Sequence, residues 1–448
     1  MTTTEETIVG SGADEAVGVF NQPASPVASP LRTLLDPRLW LASGGGRTIP
    51  LLLAMVVMWI AFDIDSGGVY FGSQNITNIL VYTSLYGIVA IGVVIVLLLG
   101  EIDLSLGSLV GLAGCSAALV MVEWVPTAPQ FVQMLVGVAV SLAVGIACGA
   151  FQGFWIALAK VPSFVVSLAG LLAFSGISLV ITNSQTVVIT SDYFNAFGST
   201  STSAFDGGYL PTLVGKGTNP LHLSVGMIVA IVIGIGYAVI LLLNRRSRRA
   251  NGLPTRGVGL LVLQALAVLI PSVVLADFLD RYQGLPLPVF IMIVLLIVIA
   301  YVLRRTRFGR HIYSTGGNAE AARRAGISVT RVRWSAFILS GLMAGIVGVI
   351  FMARNASASA GAVDPSFLLL CIASAVIGGT SLFGGRGSVW SALTGALLLA
   401  SLQTGMTLLL AGSTNAQYYQ YIVEGAILLG AVWLDTYSRK RVVVDRGG

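Results

Sequence analysis

Charge is scarce in this 448-residue sequence. Only 10% of its residues are Asp, Glu, Lys or Arg, against about 25% in a soluble domain. A soluble fold of this length is therefore excluded. Lysine is nearly absent, at Lys160, Lys216 and Lys440, so arginine carries the positive charge. Cysteine occurs at Cys115, Cys148 and Cys371, all in apolar stretches, and histidine at His222 and His311. An odd cysteine count without paired spacing excludes a disulfide framework, and the five residues share no metal-ligand motif. The phosphate loop G-x-x-x-x-G-K-[ST] is missing, since the single Gly-Lys pair, Gly215-Lys216, is followed by Gly217. Without that cradle of backbone amides the chain does not bind ATP in the usual way. H-E-x-x-H and G-x-S-x-G are missing too, so no catalytic, cofactor-binding or metal residue is assigned. No signal peptide is expected either, since the start has no basic stretch with an apolar run close behind it. Residues 1–46 are polar, with Glu5, Glu6, Asp14 and Glu15, and are expected to form a disordered cytoplasmic arm.

What the chain has instead is apolar length. Hydrophobic residues make up 56%, and the mean hydropathy is +0.89. A spanning helix needs about 20 apolar residues. Candidate spans lie at 48–63, 77–99, 104–122, 131–159, 163–182, 222–243, 258–276, 287–303, 334–353, 366–383, 389–411 and 419–435. The expected fold is an all-α polytopic membrane protein of about 10–12 transmembrane helices. Gly- and Ser-rich segments at 104–122 and 366–383 are candidates for broken or re-entrant helices. The transmembrane domain covers 47–437, with a cytoplasmic loop at 304–333 and a cytoplasmic tail at 438–448. With the N-terminus inside, counting crossings puts Arg245-Arg246-Ser247-Arg248-Arg249, the Arg-rich loop 304–333 and Arg439-Lys440-Arg441 all inside. That is the positive-inside rule, so the basic loops need no nucleic acid to explain them. Both termini are expected in the cytoplasm.

Three stretches stand out. The first, Gly100-Glu101-Ile102-Asp103-Leu104-Ser105-Leu106-Gly107-Ser108, is a polar turn between apolar helices. Gly100 suits a helix end, and Asp103 or Ser105 suits a cap. It is either a tight cytoplasmic hairpin or a set of helix ends and hydroxyls along a solute path. The second, Gly378-Gly379-Thr380-Ser381-Leu382-Phe383-Gly384-Gly385-Arg386-Gly387-Ser388, is rich enough in glycine for close backbone approach. Its Gly387-Ser388 echoes Gly107-Ser108, a weak hint of two related halves. The third runs from Phe308 to Ile327 and contains Gly316, Gly317, Asn318, Glu320, Ala321, Ala322, Arg323 and Gly326. Asn318 suits a helix N-cap and Gly326 a stop, so a short capped helix is expected in a cytoplasmic loop. The opposite charges of Glu101 or Asp103 and Arg386, in echoing turns, suggest an ion pair between them. Acidic residues are otherwise rare within the spans, which counts against an ion-coupled secondary carrier.

Together these stretches resemble the permease subunits of bacterial ATP-binding-cassette sugar importers, the ribose, arabinose and xylose group, over about residues 75–437. Glu320, Ala321, Ala322 and Gly326 match the family's Glu-Ala-Ala-x-x-x-Gly element, although the proline that follows in its fuller version is absent. Glu101-Ile102-Asp103 and the segments at 222–303 make it most similar to the xylose type. The resemblance implies import of a monosaccharide across a bacterial plasma membrane. It also implies a second permease copy, a separate cytoplasmic ATPase and an extracytoplasmic sugar-binding protein. No cofactor is implied. Path candidates are Glu101, Asp103, Ser105, Gly107, Ser108, Gly378, Gly379, Thr380 and Ser381. ATPase-coupling candidates are Gly316, Gly317, Asn318, Glu320, Ala321, Ala322, Arg323 and Gly326.

Overall fold

A computed structural model describes residues 48–199, 208–214, 223–253, 257–416, 418–426 and 429–430. The expected arm at 1–46 and tail at 438–448 lie outside the described residues. The chain divides into a unit Met1–Ala54, of which only the start of one helix is described, and a unit Met55–Gly448, which holds the bundle.

The helices in order are α1 (Thr48–Asp65), α2 (Ser73–Leu98), α3 (Leu106–Leu119), α4 (Gln130–Ala157), α5 (Ser163–Ile181), α6 (Val225–Ala250), α7 (Val258–Asp280), α8 (Leu287–Arg305), α9 (Arg307–Gly317), α10 (Ala319–Arg324), α11 (Val329–Asn355), α12 (Pro365–Ile377) and α13 (Val389–Leu409). Among the described residues nine helices are long and apolar enough to cross a membrane. They are α2, α3 with the π turn that extends it to Trp124, α4 to α8, α11 and α13. α1 adds an apolar helix of 18 residues. The span expected at 419–435 is helical over 418–426, and most of the rest lies outside the described residues. The protein is an all-α polytopic membrane protein.

Two boundaries differ most from the hydropathy reading, for physical reasons. α6 runs on through Arg245–Arg249, read above as loop. Arginine is a good helix former, and its charge suits the negative end of a helix dipole. α12 stops at Ile377 instead of reaching 383, because Gly379, Gly384, Gly385 and Gly387 take positive φ values that an α-helix does not use. At 13 residues α12 is about 20 Å long, short of a bilayer core of about 30 Å.

The centre of the bundle is α2, buried over 89% of its apolar window, whereas α7 is buried over 6%. α11 packs against α2, α3 and α4, and α12 and α13 pack against α2. Between membrane helices there is no hydrophobic drive, so close backbone packing must supply the attraction. α4 provides it with Gly137, Ser141, Gly145, Gly149 and Gly153, four residues apart on one stripe. A side chain at Gly145 or Gly149 would overlap the α11 main chain at Gly341 or Phe337. Ser141 donates from Oγ to the Gly345 carbonyl at 2.8 Å across the same seam.

Candidate functional site

The three stretches meet. Gly100 turns the chain at the end of α2 with φ +75°. The Gly385 amide donates to the Leu98 carbonyl at 2.9 Å, which ties the second stretch to the end of α2. The last turn of α9 lies on this bond: a Cβ at Gly316 would overlap both the Leu98 carbonyl and the Gly385 nitrogen. Gly384 faces Gly100 and the Gly316 carbonyl, and Gly385 faces Gly317. Tyr313 of α9 adds a hydrogen bond from its hydroxyl to the Gly387 carbonyl at 2.9 Å. Burial raises the Tyr313 phenol above its ordinary value, with Arg304 pulling it partly back, so it stays a donor at neutral pH. Only glycine permits three main chains this close.

Behind the junction the first turn is threaded into the bundle. Asp103 is buried, and its Oδ1 accepts from the Ser105 amide at 3.0 Å and the Ser105 hydroxyl at 2.7 Å. Asp103, not Ser105, therefore supplies the side-chain acceptor at the start of α3. Gln152 of α4, also buried, donates from Nε2 to Ser105 Oγ at 2.6 Å, and its own Oε1 has no partner. Ser163 of α5 receives the Ile102 amide at 3.3 Å. Burial pushes the Asp103 carboxyl up from its ordinary range, and the two Ser105 hydrogen bonds pull it partly back. Gly107 packs on Leu368 of α12, and Ser108 donates to the Ser105 carbonyl at 2.9 Å.

In the second turn Thr380 and Ser381 are buried. Thr380 shares a 2.6 Å hydrogen bond with Ser391 of α13, and the Ser381 amide donates to the Arg386 carbonyl at 2.9 Å. Gly378 packs on the Ser391 main chain, while Gly379 faces open space. Ser388 caps α13 by accepting the Trp390 amide, whereas Ser108, its counterpart in the first turn, lies inside α3, so the echo does not extend to the caps.

The ion pair expected with Arg386 is absent. Glu101 pairs with Arg333 near the start of α11, Nε to Oε1 at 3.1 Å. That Nε is not aligned as a hydrogen-bond donor, so the contact is one of charge alone. Both side chains are partly buried. Echoing sequence positions placed the two turns together but did not orient Arg386 toward the carboxylates.

The capped helix is present as α10. Asn318 Oδ1 accepts the Ala321 amide at 3.0 Å, and Gly326 reverses the chain at φ +83°. Glu320 pairs with Arg323 at 3.1 Å and Arg324 at 3.4 Å on the exposed side. The two alanines divide: Ala322 is buried against the protein, and Ala321 is exposed. Sequence reasoning missed α9, although Thr306 caps it, accepting from Gly309, and Ile312 and Thr315 form its buried side. It also missed Gln152, whose only signal is an amide inside an apolar span.

Residues 75–432 match the family model described as "Branched-chain amino acid transport system / permease component". The chain is 37% identical over 394 residues to the xylose transport system permease protein XylH of Haemophilus influenzae, covering 88% of this chain and 96% of that protein. Escherichia coli K12 has a xylose transport system permease protein XylH that is 38% identical over 397 residues, 87% of this chain and 92% of the relative. The ribose import permease protein RbsC of Escherichia coli K12 is 32% identical over 389 residues, 86% and 92%. No solved structure matches.

Proposed function

The chain belongs to the permease-component family, and from that premise we propose that it is the membrane subunit of an ATP-driven importer for a monosaccharide, a pentose such as xylose. It is a transport subunit and not an enzyme; ATP hydrolysis belongs to a separate subunit. It works as a multi-pass protein of a bacterial inner membrane, with an ATPase on the cytoplasmic face and a sugar-binding protein on the other. A second copy of the chain completes the pore, and both termini are cytoplasmic.

The observation that carries this reading is the glycine junction, where Gly316 lies across the Gly385–Leu98 hydrogen bond. A capped surface helix, α10, follows α9 directly, and α9 touches the end of α2 at Leu98 and the second turn at Gly385 and Gly387. The exposed side of α10 carries Ala321, Glu320 and Arg323, a small residue beside a charged pair, suited to a groove on the ATPase. Ala322 anchors α10 to the bundle. Motion of the ATPase moves α9, and the junction passes it to the turns at 99–108 and 378–388. Those turns supply Asp103, Ser105, Ser108, Thr380 and Ser381 to the path, with Glu101 held by Arg333.

The test is expression of the chain in a strain deleted for its pentose permeases. Uptake of labelled xylose should return only when the cognate ATPase and binding protein are present, and the ATPase should copurify with the chain. Restored uptake without an ATPase would refute the assignment.

A further inference from the structure

Polar side chains inside a membrane bundle are costly unless they serve one another or a solute, and they mark solute pathways. Away from the glycine junction, toward the opposite end of α2, such groups form a line. Asn78, Tyr82 and Tyr86 stand four residues apart and share one face of α2. Arg354, in the last turn of α11, donates to Asn78 Oδ1 at 3.2 Å and lies over the Tyr82 ring, 5.1 Å from its centroid. Tyr82 and Tyr86 stack with centroids 6.4 Å apart. Tyr86 donates to Gln403 of α13, and its ring meets Phe367 of α12 at 5.5 Å.

α12 has a cavity on its flank. Phe367 packs on Tyr86, while Ser366, Leu369 and Leu370 line a cavity of about 330 Å³ together with Asp364, Tyr421 and Glu424. Tyr421 donates to Asp364 across it. Glu424 Oε2 is buried and has no partner. The volume falls at the low end of small-molecule pockets, about 300–1,000 Å³.

We propose that the Asn78–Tyr82–Tyr86 face and the adjoining cavity form the route of the sugar through the half of the bundle remote from the glycine junction. The proposal rests on the sugar-permease reading above. A monosaccharide carries hydroxyls that donate and accept, arranged around a ring with less polar faces. Carboxylate and amide acceptors beside stacked tyrosines match both surfaces. Without sugar the groups pair with one another, which limits their burial cost. With sugar they exchange those bonds for bonds to its hydroxyls, and the unpartnered Glu424 oxygen gains one. Such exchange gives weak binding, which a path needs if the solute is to leave.

The test uses vesicles holding the whole assembly: this chain, its ATPase and its binding protein, with labelled D-xylose as the probe. Uptake and ATP hydrolysis are measured together for wild type, Tyr86→Phe and Glu424→Leu, which removes the acceptor. Each variant should lower xylose imported per ATP hydrolysed by about tenfold, the effect of one lost hydrogen bond. Hydrolysis stimulated by the loaded binding protein should hold within about twofold, which shows that folding and docking survive. Wild-type yield per ATP in both variants would overturn the route. A parallel fall of uptake and hydrolysis would overturn it as well, since it marks a purely structural role. Wild-type vesicles that take up no xylose would sink the sugar reading, and the route with it.

Discussion

Adding one methyl group at Gly316 should break the junction, while adding it at Gly317 should not. The Cβ of Gly316→Ala would fall on the Leu98 carbonyl and the Gly385 amide, the two partners of a main-chain hydrogen bond. Neither is the end of a flexible side chain, so α9 itself must shift. Overpacking of this kind costs about 1–3 kcal/mol, and loss of the hydrogen bond adds about 0.5–1.5 kcal/mol. Alanine in place of glycine returns up to about 1 kcal/mol in a helix. The net cost is about 0.5–3.5 kcal/mol. At Gly317 a Cβ would meet nothing within 4 Å, so Gly317→Ala should be neutral or stabilising by up to about 1 kcal/mol. Thermal unfolding of the purified chain in detergent, followed by tryptophan fluorescence, measures the difference. Parallel assays of xylose uptake and ATP hydrolysis show whether Gly316→Ala separates hydrolysis from transport. Equal stability and equal coupling in the two variants would refute the idea that the glycine junction transmits force.

Three further outcomes follow from the geometry. Arg333→Glu should cut uptake, and Glu101→Arg in the same chain should restore part of it, because the pair lies between the exposed and buried limits, worth about 1–3 kcal/mol; Arg386→Glu should not be rescued by Glu101→Arg, and rescue there would restore the pairing that the structure contradicts. Burial holds the Asp103 carboxyl above its ordinary 3.8, so the stability it contributes is present below the unfolded value and is lost as pH rises through the folded one; Asp103→Asn, which keeps an acceptor for Ser105, should flatten the fall in melting temperature as pH rises above the ordinary carboxylate range, and an unchanged pH profile would contradict this. In a chain whose three natural cysteines are replaced, an impermeant thiol reagent applied outside cells should label Gly361→Cys but not Ser247→Cys, and the opposite pattern would invert the topology.

Much of the fold was legible because the bilayer imposes it. Apolar length marked the spans, while the sides that the arginine bias gives the loops are what the labelling experiment tests. Local signals that depend on neighbouring residues also held: the Asn318 cap and the Gly326 reversal are short-range hydrogen bonds and dihedrals. What could not be read was which distant main chains touch. Gly100, Gly316 and Gly384 are each unremarkable alone, and their shared contact depends on the packing of α2, α9 and the second turn. The same holds for Glu101, whose partner Arg333 hid among many arginines of one basic segment. The α4–α11 seam shows as glycine and serine every fourth residue, but the hydropathy that located α4 is blind to that spacing. Asp103 was one of two cap candidates beside Ser105, whereas its burial and the bond from Gln152 to Ser105 depend on α4 packing on the turn.

The central claim is that this chain moves sugar only when an ATPase drives it through the junction. Purified chain in vesicles should be tested for xylose uptake, first alone with imposed proton and sodium gradients, then with the ATPase, loaded binding protein and ATP. The account predicts no uptake in the first condition and ATP-dependent uptake in the second. Gradient-driven uptake by the chain alone would contradict it.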